Sequence, residues 1–256
     1  MAQDLAAIIL PMYNEELSIP VLQEMFDEKI EMPPGYDYRI VAVNDGSKDR
    51  TLELVNKWAQ ENHRVKVLSH TQNMGVGQAI LTGFGEAIRM SSICVVTLHA
   101  DASHPGGIIK QMLVEVQKGA DIVIASRFTQ GGKQVGVPLL RRIYGWGARI
   151  LLSTIFPLKG VRDYTVGFRA YRTTMVNQAL SRTEESFLTF RSFATSAEIL
   201  LKFVSFANKV VEVPLVLRYD HKMSSSKLRT WNTIRDYFML FMLPKQECPL
   251  GRGLAI

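Results

Sequence analysis

Cysteine is almost absent from this chain: Cys94 lies inside an apolar run and Cys248 near the C-terminus. Two thiols placed like this form neither a disulfide framework nor a cysteine metal cluster, and such sparse usage fits a reducing, cytosolic setting. Long hydrophobic runs are missing too. No window reaches the roughly 18 to 20 apolar residues that a spanning helix needs, so any work at a membrane is expected on its surface. Met1-Ala2-Gln3-Asp4-Leu5 lacks a basic region followed by an apolar stretch, and no secretory signal is expected. An acidic excess is also lacking. The formal charge of +6 favours anionic partners, which by charge alone are equally nucleotides, phospholipid headgroups or nucleic acid. Nucleic acid is set aside because aromatic and basic residues do not interleave along one face. Internal repeats, low-complexity tracts and linker-like composition are absent, which predicts a single domain.

What is present is an ordinary globular composition, 47% hydrophobic and 21% charged over 256 residues, enough for a sizeable core. Ala6–Leu10 reads as a strand stopped by Pro11, followed by an amphipathic segment through Ile30. Arg39–Val43 repeats the strand signal, Asn44-Asp45-Gly46-Ser47-Lys48-Asp49 makes a turn, and a helical pattern runs from Thr51 to Asn62 with Asp49 as N-cap. Val65–Leu68 is a third strand, Asn73–Gly77 a glycine-punctuated loop, and Gln78–Arg89 a helix. Residues 93–98, helix 106–118 and strand Asp121–Ala125 continue the alternation. The glycine-rich segment Gln130–Gly136 is either a mobile loop at the site or a polar connection. Residues 139–156 read as a helix that is basic on one side through Arg141, Arg142 and Arg149. From Val161 the alternation breaks down into a turn and strand (Asp163–Arg172), a helix carrying Glu198 (Phe193–Phe206), a strand (Val210–Leu217) and a polar run (Tyr219–Leu228). Residues 231–256 form a C-terminal amphipathic helix (Trp231–Leu243) and tail, either part of the same domain or membrane-associating. Strands and helices at this spacing predict βαβ units, an α/β fold with a mostly parallel sheet flanked by helices, and a ligand site at the strands' carboxyl ends.

The stretch that organises the rest is Ile93-Cys94-Val95-Val96-Thr97-Leu98-His99-Ala100-Asp101-Ala102-Ser103-His104-Pro105. It places His99 and Asp101 at a strand's carboxyl end, two residues apart and so on the same side of an extended chain. Together they suit a divalent transition metal. With equal weight, Asp101 caps the next turn and His99 is a packed histidine.

Six ordered motifs resemble a family 2 glycosyltransferase, in the branch of the dolichol- and polyprenyl-phosphate mannose and glucose synthases. They are Pro11-Met12-Tyr13-Asn14-Glu15, Val43-Asn44-Asp45-Gly46-Ser47, Asn73-Met74-Gly75, His99 to Pro105, Thr165-Val166-Gly167-Phe168-Arg169 and Ser226-Lys227-Leu228. The resemblance implies a single GT-A (Rossmann-like) domain over residues 1–230. It implies that Pro11, Tyr13, Glu15 and Asp45 hold the base and ribose of a nucleotide-sugar donor. The family's Asp-x-Asp motif holds a divalent cation, Mn2+ or Mg2+, against the diphosphate; here Asp101 matches the second aspartate and His99 replaces the first. Arg127, Arg141, His221 and Lys227 fall where the family places cations around donor and acceptor phosphates. His221 stands for its arginine and Ser224 for its glycine.

The implied reaction is an inverting hexosyl transfer from a GDP- or UDP-linked sugar to a polyprenyl phosphate, at the cytoplasmic face of a membrane. A phosphate acceptor is already an anion, whereas a hydroxyl or amine would need a base, for which Asp163 and Glu198 are the available carboxylates. Glu198 is read with equal weight as a structural cap or pair. A soluble acceptor, or sugar-nucleotide binding without catalysis, are the competing readings.

Overall fold

A computed structural model describes residues 3–182, 187–190, 194–221, 223, 235–237, 239 and 240. β1 (Asp4–Met12) leads through α1 (Ile19–Asp27) to β2 (Tyr36–Asp45), α2 (Thr51–Glu61), β3 (Val65–His70), α3 (Val76–Arg89), β4 (Cys94–Thr97), α4 (Ile108–Gln117) and β5 (Ile122–Ser126). Next come β6 (Lys133–Val135), α5 (Leu139–Ile155), β7 (Arg169–Arg172), α6 (Thr173–Ser181), α7 (Thr195–Val204), β8 (Val210–Pro214), β9 (Val216–Arg218) and a 3-10 turn at Tyr219–His221.

Seven strands form one sheet in the order β3-β2-β1-β4-β7-β5-β8, parallel except for β7. Ala6 to Leu10 are fully buried, as a strand covered on both faces requires. α3 packs across β1 and β2 with Ala79, Ile80, Gly83, Phe84 and Ala87 inward. These positions recur at helical spacing, and Gly83 has no side chain because a Cβ there would run into Ile9.

Three departures from the sequence reading have physical causes. Pro11 does not stop β1, which runs on to Met12 beside Asn44. Pairing with β4 ends at Ile9↔Thr97, so beyond that point β1 is an edge on that side and proline's missing N–H costs no ladder bond. β7 is antiparallel and inserts between β4 and β5, a reversal that no local pattern encodes. Finally, Val210–Leu217 is two strands, not one. At Leu215 the chain crosses sheets: its N–H donates to the Ser126 carbonyl at 2.9 Å, and its carbonyl accepts from Lys133 N–H at 2.9 Å. This pairs β9 with β6, in the glycine-rich segment, as a small second sheet.

Of the helix expected over Trp231–Leu243, only residues 235–237, 239 and 240 are described; Asp236 and Leu240 are buried, and Leu240 joins the main core. Among the described residues no helix is long and apolar enough to cross a membrane.

Candidate active site

The carboxyl edge of the parallel strands collects most of the residues singled out above. The β1 exit loop is zipped to the β2 turn: Asn14 N–H donates to Ser47 Oγ (3.0 Å), Glu15 N–H to Thr51 Oγ1 (2.7 Å) and Glu16 N–H to Asp49 Oδ2 (3.2 Å). Asp49 also accepts the Thr51 N–H at 3.0 Å, an Asx turn just ahead of the helix: the N-cap position falls on Arg50, not on Asp49 as its sequence position suggests. Glu15 is buried and accepts from Ser18 Oγ at 2.9 Å, while Pro11 and Tyr13 are half-buried beside it.

Asp45, at the end of β2, is buried and holds the next loop. Oδ1 accepts Met74 N–H (2.8 Å) and meets His70 Nδ1 (2.7 Å), and Oδ2 accepts Gly75 N–H (2.9 Å). The loop lies so close that a Cβ at Gly46, where φ is +64°, would collide with the backbone of Gln72 and Asn73. Only glycine meets both demands.

At the end of β4, Asp101 Oδ1 accepts from Ser103 N–H (3.1 Å) and Ser103 Oγ (2.6 Å), an Asx turn. The Asp101 and Ser103 carbonyls accept from Met223 N–H (3.4 Å) and Arg218 N–H (3.3 Å), so the segment entering the predicted cation run crosses this turn. His99 packs its ring on His104, with centroids 5.4 Å apart. Its Nε2 lies 2.9 Å from where a Cβ at Gly167 would stand, and Thr97 Oγ1 ties the two segments by donating to the Gly167 carbonyl at 2.7 Å. Among the described residues no three His, Cys, Asp or Glu side chains cluster to hold a metal. Asp101 offers one carboxylate and His99 one imidazole at this end of β4, a donor set that would hold a divalent ion only with further donors from a ligand.

Arg127 follows β5 and is locked to Asp163. Nε donates to Oδ2 at 2.8 Å, Nη2 to Oδ1 at 2.7 Å and to Thr165 Oγ1 at 2.6 Å, and Arg127 N–H also reaches Oδ2. Burial would raise the Asp163 pKa, but the Arg127 guanidinium and hydrogen bonds outweigh it and hold the carboxyl below its usual range. A carboxylate so placed is a poor proton acceptor. The two-point contact fixes the orientation of the Arg127 guanidinium, whose Nη1 has no partner among the described residues. Arg141, on α5, stacks 5.5 Å over the Tyr219 ring.

Glu198 lies in the first turn of α7, two residues after Ser196, which neighbours Gly167. It accepts Thr189 N–H (2.7 Å) and Phe190 N–H (3.2 Å) and pairs with Lys202 at 3.0 Å, with both charged side chains buried. Lys202 in turn donates to the Phe187 carbonyl at 2.8 Å. The geometry is that of a staple for residues 187–190, the structural alternative read from the sequence. The His221 side chain and Lys227 lie outside the described residues. The sequence reading passed over His70, Thr165, Gly167 and Lys202. Lys202 was findable from its i+4 spacing to Glu198; Thr165 and Gly167 lay inside a quoted motif without a role; nothing in sequence pointed to His70.

The glycosyl transferase family 2 model matches residues 7–180. The chain is 32% identical over 248 residues to the dolichol-phosphate mannosyltransferase of Pyrococcus furiosus, covering 96% of this chain and 65% of that protein. It is 28% identical to the polyprenol monophosphomannose synthase of Mycolicibacterium smegmatis, covering 87% and 82% respectively. Among solved structures, glucosyl-3-phosphoglycerate synthase from Mycobacterium tuberculosis, in complex with Mn2+, UDP-glucose and phosphoglyceric acid, superposes with a TM-score of 0.65 at 17% identity, covering 98% of this chain and 81% of that one. S. aureus TarS gives 0.63 at 18% identity, covering 96% and 40%. These likenesses identify the single α/β domain as GT-A. Family model, relatives and fold agree, and the chain belongs to glycosyl transferase family 2.

Proposed function

We propose that this protein transfers a hexose, with inversion, from a GDP- or UDP-linked sugar to a polyprenyl phosphate at a membrane surface. The acceptor phosphate oxygen attacks the anomeric carbon as the bond to the donor diphosphate breaks. The nucleophile arrives as an anion, so no residue need remove a proton, in keeping with Asp163 and Glu198 both being committed to ion pairs.

Pro11, Tyr13, Glu15 and Asp45 line the donor's nucleoside end. Asp101, with His99 beside it, would hold Mn2+ or Mg2+, and the cation when bound offsets charge on the leaving diphosphate. Arg127, aimed by Asp163, and Arg141 supply guanidinium groups suited to phosphate oxygens; His221 and Lys227 are proposed to add further cations.

The observation that favours a lipid acceptor over a soluble one is α5. Leu139, Leu140, Ile143, Tyr144, Trp146 and Ile150 are 46–69% exposed on this helix, and Arg141, Arg142 and Arg149 share it. An exposed apolar face with interleaved arginines suits the headgroup boundary of an anionic bilayer. α5, not the C-terminal helix expected from sequence, is therefore the surface proposed to meet the membrane.

The test is incubation with labelled GDP- and UDP-sugars, undecaprenyl phosphate in lipid, and Mn2+ or Mg2+. A lipid-linked product is expected. Turnover of a water-soluble acceptor alone would favour the soluble reading, and nucleotide binding without any product would favour a non-catalytic one.

A further inference from the structure

The Asp45 carboxylate is nearly used up before any ligand arrives. An ionised carboxylate offers about four lone-pair sites. Three are taken, by His70 Nδ1, Met74 N–H and Gly75 N–H, and the one left over is on Oδ2. His70 is the last residue of β3 and stands beside Asp45 in the parallel register. Its other nitrogen, Nε2, meets Thr82 Oγ1 on α3 at 3.0 Å. Its side chain is 11% exposed and that of Asp45 3%, so both are held in a largely dry wedge between β3 and α3. Since Asp45 can only accept, Nδ1 carries the proton, and Thr82 fixes the ring from behind.

We propose that His70 is a positioning residue for the donor base: it fixes the Asp45 carboxylate so that its one remaining acceptor site selects a base presenting a ring N–H. Uracil N3–H and guanine N1–H satisfy that site. Cytosine and adenine present a bare ring nitrogen at the corresponding edge, and two acceptors would then face each other unpaired. The proposal rests on the reading above that Asp45 faces the nucleobase. It adds the residue that holds the Asp45 carboxylate for that choice.

The experiment measures binding of UDP, GDP, CDP and ADP, with Mn2+, to the wild type, His70→Ala, His70→Asn and Thr82→Val, with kcat and KM for the preferred nucleotide sugar. The wild type is expected to favour UDP or GDP over CDP and ADP by about tenfold or more, the usual scale for one hydrogen bond to a charged group. His70→Ala should collapse that ratio to about threefold and raise donor KM, with kcat changed by less than about twofold. His70→Asn, whose amide N–H can replace Nδ1–H, should recover most of the ratio, and Thr82→Val should fall between. Unchanged selectivity in His70→Ala overturns the proposal, as does His70→Asn no better than His70→Ala. Should His70→Ala not fold, His70→Asn retaining the ratio while Thr82→Val loses part of it sustains the proposal; equal ratios in both overturn it. A wild type that binds no nucleotide removes the donor-site reading itself, a result distinct from either.

Discussion

The Asp163 carboxylate grips Arg127 along one edge of the guanidinium, Nε to Oδ2 at 2.8 Å and Nη2 to Oδ1 at 2.7 Å, with Asp163 fully buried. The pair joins the end of β5 to the turn before β7. We propose that Asp163 holds a cation rather than moving a proton.

Asp163→Asn should therefore act first on stability. Breaking a buried pair leaves an uncompensated charge and costs about 3–5 kcal/mol, measured by urea denaturation. The pH dependence has a definite sign. The folded pKa lies below the ordinary value, so the pair's contribution is complete above about pH 4 and is lost as pH falls through the depressed folded value. The wild type should lose stability in acid more steeply than Asp163→Asn. Equal acid profiles would contradict the assignment.

Glu198 gives a second separation of structure from chemistry. If it staples residues 187–190, Glu198→Gln is destabilised because Lys202 keeps a buried, unpaired charge, and the double variant Glu198→Gln/Lys202→Met regains much of the loss with activity retained. A general base would instead cost about 10²–10⁴ in rate in both variants. Chemical denaturation and initial rates on the same samples decide between them.

Gly167 makes room for the His99 ring. Gly167→Ala would press its Cβ to within 2.9 Å of Nε2, so the ring must move or strain must accumulate. Destabilisation of about 1–3 kcal/mol is expected. Adding His99→Ala should relieve most of it, a coupling that a double-mutant cycle in thermal unfolding reads directly.

The α5 surface can be tested away from the chemistry. Ile143→Ser, Trp146→Ser and Ile150→Ser together should abolish co-sedimentation with anionic vesicles. They should leave the rate on a short-chain, water-dispersed polyprenyl phosphate within about threefold, since they remove apolar area from the membrane side only. Unchanged vesicle binding would reject α5 as the docking surface.

The sequence exposed the fold through its simplest signal. Apolar runs such as Ile8-Ile9-Leu10 and Ile122-Val123-Ile124, separated by amphipathic stretches, announced a covered parallel sheet, and turn residues marked where its carboxyl edge would lie. What stayed hidden depends on contacts distant in the chain. The Arg127–Asp163 pair spans 36 residues and the Asp45–His70 pair 25, and periodicity carries no information at such separations. Pro11 misled because a proline's cost depends on whether a neighbour needs its N–H, which is a property of the sheet. Asp101 is placed at this edge by the strand pattern, Asp45 and Arg127 are singled out by the family resemblance, and the pairing of Asp163 with Arg127 is visible only in the folded chain.

β7 carries a consequence for synthesis. The sheet's first five strands are complete once residue 126 has emerged, yet β4 and β5 do not pair with each other; both wait for β7, which ends at Arg172. A nascent chain thus leaves one edge of β4 and both edges of β5 unpaired over some 45 further residues, and at roughly 5–20 residues per second that interval lasts seconds. In this family member the strand that joins the two parts of the sheet arrives late, and the half-built intermediate is where a chaperone or an aggregating neighbour would find its opening.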